Sequence, residues 1–270
     1  MRALCFVLAA ASLLGQDVPY DVLLRHARVY DGTGVGWYQA DVAIRGDTIA
    51  AVGHLAGATA RTAIDLGGLA LSPGYIDTHS HARGGIFDHP EAENCIRQGV
   101  TTVIEGPDGS SPIPLRPFLD KLSATKIGIN FGTLAGHGSI RSAVIGSINR
   151  NATDDELRKM KELARQAMVD GAFGLSTGLF YVPGNYAPTS EVVDLAKVVG
   201  AMGGLYTSHM RDEAAQVLES VRETIRIGEE GGLPSQITHH KIIGQPNWGR
   251  SVETLELVEA ARRRGVDVSI

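Results

Sequence analysis

From Leu69 to Ile270, short apolar runs alternate with longer stretches that carry apolar residues at helical spacing. Short apolar runs bounded by glycine and polar residues are typical of buried strands, whereas a spacing of three and four residues is typical of amphipathic helices. Seven runs are strand candidates: Leu71–Asp77, Thr101–Glu105, Ile127–Leu134, Ala172–Leu175, Gly204–Ser208, Ser235–Thr238 and Val266–Ile270. This alternation predicts parallel strands with crossover helices, and therefore an α/β fold.

Helical signals lie between several of these strand candidates. One helix is predicted to begin at Thr153, which forms a capping box with Glu156, and others over Glu191–Val199, Ala214–Glu229 and Ser251–Arg264. A simple dinucleotide-binding fold is not favoured, because no Gly-x-Gly-x-x-Gly follows the first strand candidate.

Four histidines stand at the ends of strand candidates. His79 and His81 follow the first, His209 the fifth and His239 the sixth. Two histidines one residue apart on a strand leave it on the same face, as two ligands of one metal ion must; the alternative for this pair is two surface histidines in a loop. In a (β/α)₈ barrel the carboxyl ends of all strands meet at one rim, where active sites lie. The sequence therefore predicts that these imidazoles converge on a metal centre.

The residues before Leu69 form two further regions. Residues 1–17 are typical of a secretory signal peptide, since Arg2 precedes an apolar stretch too short to span a bilayer. We expect a periplasmic or secreted protein; the alternative is a buried N-terminal helix in a cytoplasmic one. Residues 18–68 contain runs of alternating polarity separated by glycine turns, which predicts a small antiparallel β-unit. Residues 69–270 would then form the α/β barrel.

The composition excludes some classes of partner. A formal net charge of −5 argues against nucleic acid as the main partner. No segment after the signal is apolar enough to cross a membrane. Once the signal is removed, Cys95 is the only cysteine, so no intrachain disulfide is expected, and we interpret Cys95 as a buried small residue.

Several segments resemble the D-aminoacylase (N-acyl-D-amino-acid deacylase) family of the amidohydrolase superfamily. They are Pro73–His81, Gly99–Val103, Gly174–Tyr181, Ser208–Glu213, Thr238–Lys241 and Asn247–Gly249. The fourth and fifth, SHMRDE and THHK, are specific, whereas the first alone would indicate only the superfamily. The resemblance implies a (β/α)₈ TIM-type barrel with a small β-sandwich, whose first part would be residues 18–68.

The resemblance also implies the substrate and the metal ligands. Family members hydrolyse the amide of N-acyl-D-amino acids, so we expect a small-molecule substrate and one or two divalent metal ions, with zinc favoured. His79 and His81 would hold one ion, and His209 and His239 would belong to the neighbouring, tighter site. His239 is preferred over His240 because it directly follows Thr238, as the ligand histidine follows serine or threonine in related segments of the family.

Three further residues would bind the substrate. Lys241 and Arg211 are cationic, and either would receive the substrate carboxylate, with Lys241 preferred. Tyr181 resembles a pocket residue of the family; the alternative is an aromatic side chain packed at the barrel rim.

Asp108 stands where family members commonly carry a cysteine, in the turn after Gly-x-Thr-Thr-Val. A carboxylate can bind or bridge zinc, but it is a harder ligand than a thiolate and accommodates manganese, cobalt or iron more readily. The alternative is a turn residue that caps its own loop. Because of this departure, the family's substrate preference is not carried over.

The mechanism that the resemblance implies is metal-assisted hydrolysis. A bound cation polarises the amide oxygen and lowers the pKa of a coordinated water, and a carboxylate moves the proton to the leaving amine. In the family that carboxylate is an aspartate after the eighth strand. Only about 200 residues follow Leu71, whereas a full barrel takes about 250. We therefore expect an N-terminal portion of a longer enzyme with a missing C-terminal part, and we assign no catalytic residue here.

Two other functions stay open. One is a cyclic-amide hydrolase of the dihydroorotase or hydantoinase type, although no lysine ends the third or fourth strand candidate. The other is an inactive chain that binds metal without turnover, or that needs a second polypeptide to close its barrel.

Overall fold

The structure is a computed structural model that describes residues 19–270. They form two compact units, the first ending at Pro73 and the second spanning Gly74–Ile270. The predicted signal peptide, residues 1–17, lies outside the described residues and stays a prediction. Within residues 19–270, no helix combines the length and the apolar composition needed to span a bilayer.

The first unit is a sheet of five strands. They are β1 (Tyr20–Val29), β2 (Tyr38–Arg45), β3 (Thr48–Gly53), β4 (Ala60–Asp65) and β5 (Ala70–Leu71). The strand order is β3-β2-β1-β4, and β5 also pairs with β1. Small apolar side chains on one face form its core: Ala27, Val29, Ala40 and Val42.

The predicted antiparallel pairing holds for only part of this sheet. β1 to β3 are antiparallel neighbours, but β4 and β5 both run parallel to β1. The physical reason is the connection between Gly53 and Ala60, which crosses to the other edge of β1 instead of turning back as a hairpin.

The second unit contains two parallel sheets. The first has the order β6-β7-β8, and the second has the order β13-β12-β11-β10-β9. The strands are β6 (Tyr75–Ser80), β7 (Val100–Glu105), β8 (Asn130–Thr133), β9 (Ala135–Gly136), β10 (Gly174–Gly178), β11 (Leu205–His209), β12 (Ser235–Ile237) and β13 (Val268–Ser269). Only Leu134 separates β8 from β9, so one run of chain contributes to both sheets. The unit is therefore α/β with parallel strands, as predicted.

Seven α-helices connect or follow these strands. They are α1 (Glu93–Ile96), α2 (Arg116–Thr125), α3 (His137–Val144), α4 (Asp154–Asp170), α5 (Thr189–Gly200), α6 (Val217–Gly231) and α7 (Ser251–Arg263). Apolar side chains of α3, α4 and α5 pack against β9, β10 and β11 around the buried residues Ile140, Met160, Val192, Leu175 and Tyr206. Burial of this layer holds the strand ends in fixed positions.

Several predicted boundaries are wrong, and two of them have a clear physical reason. The first strand candidate is divided at Pro73-Gly74: β5 ends at Leu71 and β6 begins at Tyr75, because proline has no amide hydrogen for a ladder. The helix predicted from Ala214 begins instead at Val217. The Asp212 carboxylate accepts hydrogen bonds from the amides of Ala214 and Gln216, which forms a turn before the helix.

Candidate metal centre

The structure brings the four histidines together at the carboxyl ends of three strands. His79 lies near the end of β6 and His81 directly after it, His209 is the last residue of β11, and His239 follows β12. The ring centroid of His79 lies 5.3 Å from that of His81 and 5.1 Å from that of His239. The ring centroids of His209 and His239 are 4.4 Å apart. Residues 160 positions apart in sequence therefore form one cluster, because parallel strands end at the same edge.

Asp108 lies at the centre of this cluster, in the loop after β7. Its Oδ2 is 3.4 Å from Nε2 of both His79 and His81. Its Oδ1 is 3.5 Å from Nδ1 of His209 and 3.5 Å from Nε2 of His239. One carboxylate thus faces two pairs of imidazoles, one pair with each oxygen.

The cluster divides into two ligand groups that share Asp108. The first is His79, His81 and Asp108, and the second is Asp108, His209 and His239. In each group the donor atoms lie within 4.8 Å of one another, so a single ion can be reached by all three. Imidazole nitrogen and carboxylate oxygen are ligands that zinc accepts.

Close polar contacts and a buried carboxylate oxygen in the cluster fit a cation. Nδ1 of His209 lies 2.8 Å from Nε2 of His239, and two ring lone pairs at this separation require a proton or a cation between them. Oδ1 of Asp108 is buried and forms no hydrogen bond within the described residues. Asp108 and His239 also adopt positive φ angles of 57° and 37°, which are unfavourable for non-glycine residues and are found at functional sites. The residues present therefore suit a metal ion.

The charge state of the cluster also suits metal binding. Burial lowers the pKa of His79 more than the charge of Asp108 raises it, which favours the neutral imidazole that a metal requires. Burial raises the pKa of Asp108, but the contact with His209, 3.5 Å away, and the charges of the surrounding imidazoles together outweigh burial, so this pKa lies below its usual range. The carboxylate is therefore ionised at neutral pH.

Close backbone contacts hold the Asp108 loop against β10. A Cβ on Gly178 would lie 2.2 Å from the carbonyl oxygen of Asp108, and one on Gly109 would lie 2.7 Å from the amide nitrogen of Gly178. Gly109 also has a positive φ of 76°. Only glycine lets the two backbones approach this closely, which fixes Asp108 beside the strand that precedes Tyr181.

Lys241 and Tyr181 both lie at the cluster. Nζ of Lys241 is 2.5 Å from Oε2 of Glu213 and 3.1 Å from Nδ1 of His239. The hydroxyl of Tyr181 lies 3.5 Å from Nδ1 of His209. Burial, with the nearby charges of Asp108 and Glu213, raises the pKa of Tyr181, so its hydroxyl keeps its proton.

The guanidinium of Arg211, which was predicted to receive the substrate carboxylate, is bound to other groups of the protein. Its guanidinium donates two hydrogen bonds to the Glu223 carboxylate, at 2.9 and 2.8 Å. It also donates to the carbonyl oxygens of Asn185 and Ala187. All three of its nitrogens are therefore engaged within the protein, and the prediction that Arg211 receives the substrate carboxylate finds no support in its surroundings.

The choice between the adjacent histidines is clear in the structure. His240 Nε2 lies 2.9 Å from Oγ1 of Thr254 on α7, whereas His239 faces Asp108. Burial also lowers the pKa of His240. His239 is therefore the member of the ligand group, and His240 links its loop to a helix.

Sequence reasoning missed Glu213. This carboxylate is buried, 6% exposed, and contacts His209, His239 and Lys241. The SHMRDE segment was recognised, but only its histidine and arginine were assigned roles. The signal in the sequence is an acidic residue four positions after a candidate ligand histidine, within a segment that resembles the family.

A cavity of about 670 Å³ adjoins the cluster. Its walls include His81, Asp108 and Tyr181. Serine hydroxyls line part of the remainder, among them Ser111, Ser139 and Ser142, and apolar residues and glycines line the rest. A cavity of this size accommodates a small organic molecule in contact with the ligand groups.

Comparison with known proteins identifies the family. A D-aminoacylase of Alcaligenes xylosoxydans xylosoxydans is 40% identical over 93% of this chain, and an N-acyl-D-aspartate deacylase of the same organism is 37% identical over 89%. A crystal structure of a D-aminoacylase is 39% identical over 93% of the chain, with a TM-score of 0.86. The chain belongs to the D-aminoacylase family of amidohydrolases.

Other matches agree with this assignment. The zinc-containing N-acyl-D-glutamate deacylase of Bordetella bronchiseptica is 33% identical over 93% of the chain, with a TM-score of 0.87. An L-hydantoinase from Arthrobacter aurescens has a TM-score of 0.65 at 19% sequence identity. This likeness shows only that the hydantoinase and the present chain share a fold. No family model matches the sequence. The chain spans 57% of the Alcaligenes D-aminoacylase and 58% of the Bordetella enzyme.

Proposed function

We propose that this chain carries the metal centre of a hydrolase that cleaves the amide bond of N-acyl-D-amino acids, releasing a carboxylate and the free D-amino acid. The observation that carries the proposal is the convergence of four histidines on Asp108 in a member of the D-aminoacylase family. Because the chain spans little more than half of its relatives, the activity is proposed for the whole protein to which this sequence contributes.

We infer that the two ligand groups hold divalent ions, zinc first among them. One solved D-aminoacylase is described as having a binuclear metal centre, and the Bordetella deacylase is complexed with zinc. His79, His81 and Asp108 would hold one ion, and Asp108, His209 and His239 the other. A divalent ion at this position supplies Lewis acidity, which polarises an amide carbonyl and makes nearby water more acidic.

The remaining site residues would bind and orient the substrate. The Lys241 ammonium lies at the cluster, and a substrate carboxylate would replace or share its contact with Glu213. The protonated hydroxyl of Tyr181 is a donor beside His209, where it would orient a carbonyl oxygen. The cavity lined by Ser111, Ser139 and Ser142 carries no lysine or arginine and would hold a neutral part of the substrate.

We also propose how the described units fit a complete enzyme. The second unit would contribute strands to a (β/α)₈ barrel, which is supported by the order of β6 to β13 along the chain and by their parallel pairing. The first unit would contribute strands to a β-sandwich. Proton transfer to the leaving amine requires a carboxylate, and the family resemblance assigns it to an aspartate after the eighth strand.

The experiment is an assay of the zinc-loaded whole protein against N-acetyl-D- and N-acetyl-L-amino acids and against hydantoins, with release of free amino groups measured. We expect hydrolysis of D-substrates alone. Opening of hydantoins in preference to N-acyl-D-amino acids would contradict the proposal, and so would full zinc occupancy without turnover.

Single variants of the same protein test the substrate contacts. Replacement of Lys241 by Met removes the ammonium, so we expect KM for N-acetyl-D-amino acids to rise by roughly tenfold or more, as the loss of a charged hydrogen bond predicts. The matched variant is Arg211→Met, in which the Glu223 contact is lost instead. We expect Arg211→Met to lower the thermal stability with little change in KM; the reverse pattern would assign the substrate carboxylate to Arg211.

A further inference from the structure

Glu213 faces the histidines of the second ligand group from the side opposite Asp108. Its Oε1 lies 3.1 Å from Nδ1 of His239, whose Nε2 is the atom directed at Asp108. Its Oε2 lies 3.9 Å from Nε2 of His209, whose Nδ1 is the atom directed at Asp108. On each ring, Glu213 therefore faces the nitrogen that is directed away from Asp108. The other nitrogen is the one that would bind a metal ion together with Asp108.

The tautomer of each ring explains why this matters. A neutral imidazole that gives one nitrogen lone pair to a metal carries its proton on the other nitrogen. In a metal-loaded site that proton would be on Nδ1 of His239 and on Nε2 of His209. On His239 the N–H would replace the contact that the Lys241 ammonium makes with Nδ1 at 3.1 Å. Metal-binding histidines usually donate this N–H to a carboxylate, carbonyl or water, which fixes the ring and raises its basicity. Glu213 is the carboxylate that faces both of these nitrogens: it is within hydrogen-bond distance of His239, at 3.1 Å, and within ion-pair range of His209, at 3.9 Å.

The Glu213 carboxylate has acceptor capacity for this purpose and is held in place. Oε1 is buried and forms no aligned hydrogen bond within residues 19–270. The carbonyl oxygen of Glu213 accepts a 2.7 Å hydrogen bond from the amide of Ile243, which ties it to the loop that carries His239. The ion pair with Lys241 offsets the cost of burying the charge.

We propose that Glu213 is a positioning residue that sets the metal-binding tautomers of both His209 and His239 and thereby strengthens metal binding at this group. The proposal rests on the metal centre of the proposed function, but it concerns a residue that is not itself a ligand. A merely structural ion pair between Glu213 and Lys241 would influence folding stability without influencing the tautomers.

The test compares zinc binding of Glu213→Gln with that of the unaltered protein, by competition with a chromophoric chelator. We expect the zinc affinity of Glu213→Gln to fall by roughly 10- to 100-fold. The matched control is Glu223→Gln, which also removes the charge of a partly buried glutamate paired with a cation, Arg211, but does not face the histidines. We expect the zinc affinity of this control to stay near that of the unaltered protein.

A second measurement needs no variant. Long-range ¹H–¹⁵N spectra of the zinc-loaded unaltered protein report which ring nitrogen carries the proton. We expect Nδ1–H for His239 and Nε2–H for His209. The opposite tautomers would overturn the proposal, as would equal zinc affinity in Glu213→Gln or an equal loss in Glu223→Gln. Failure of the unaltered protein to bind zinc at all would instead overturn the metal centre, and this proposal with it.

Discussion

Asp108 is the residue on which the site depends. Its two oxygens face different pairs of histidines at 3.4 to 3.5 Å, so it can contribute to both ligand groups at once. Sequence comparison with the family had left a capping role as the alternative. The structure places its side chain among the imidazoles, where a carboxylate ligand is a harder donor than a thiolate.

We expect the side chain at position 108 to determine which metal ion the site prefers. In Asp108→Cys, a soft thiolate replaces the carboxylate, so the ratio of zinc to manganese affinity should rise. Competitive binding followed by metal analysis of the dialysed protein measures that ratio. Asp155→Cys, on the exposed surface of α4, is the control and should leave the ratio unchanged. An unchanged ratio in Asp108→Cys would mean that Asp108 is not a ligand.

Among the helices, α4 is the one whose first residue is most clearly indicated by the sequence. The predicted capping box forms: the amide of Glu156 donates to Oγ1 of Thr153, and the amide of Thr153 donates back to the Glu156 carboxylate. Arg150 adds two hydrogen bonds to the same carboxylate, both of 2.7 Å. Local interactions therefore determine where this helix begins.

This helix start should make the free energy of unfolding depend on pH. The hydrogen bonds from Arg150 and from the Thr153 amide lower the pKa of Glu156 to about 2. Since the folded pKa lies below the unfolded value of about 4.3, the contribution of Glu156 is present above pH 4.3 and is lost as the pH falls toward 2.

Thermal unfolding between pH 2 and 6 measures this contribution. The difference in melting temperature between the unaltered protein and Glu156→Gln should shrink as the pH is lowered through this range. The exposed Glu256→Gln, on α7, controls for the general loss of charge. A difference that stays constant or grows toward low pH would contradict the prediction.

At the scale of the whole second unit, a buried charge network joins α3 to α5. Nε2 of His137 lies 2.9 Å from Oε1 of Glu191, and the Arg141 guanidinium donates to Oε2. His137 and Arg141 are fully buried and Glu191 is 3% exposed. The amide of Ser139, on α3, also donates to the carbonyl oxygen of Gly109, so this network supports the loop that carries Asp108.

Glu191→Ala should therefore destabilise the fold strongly. It leaves the buried Arg141 charge without an anionic partner, which costs about 3–5 kcal/mol of unfolding free energy. Urea denaturation followed by circular dichroism measures the loss. Glu219→Ala removes an exposed partner of Arg222 and should cost less than about 1 kcal/mol. A loss in Glu191→Ala no larger than in Glu219→Ala would show that the network contributes little.

The strands and most of the long helices were predictable because their signals are local. Apolar runs marked β7, β10 and β11, and helical stripes marked α5 and α7 within a few residues of their observed bounds. The parallel crossing of β4 beside β1 was not predictable, because strand order depends on long-range pairing that leaves no periodic pattern. The short helices α1, α2 and α3 were missed for a related reason, since tertiary contacts stabilise them more than propensity does.

The sequence by itself determined the α/β class, the chain positions of the ligand candidates and the resemblance to the D-aminoacylase family. These follow from patterns that each occupy a few neighbouring residues. The tertiary structure alone decided that Arg211 pairs with Glu223 and that His240 forms a hydrogen bond with Thr254. It also decided that Glu213 contacts His239 on the side away from Asp108. The direction in which a polar side chain points depends on the charges and lone pairs that folding places beside it, and those partners come from distant parts of the chain.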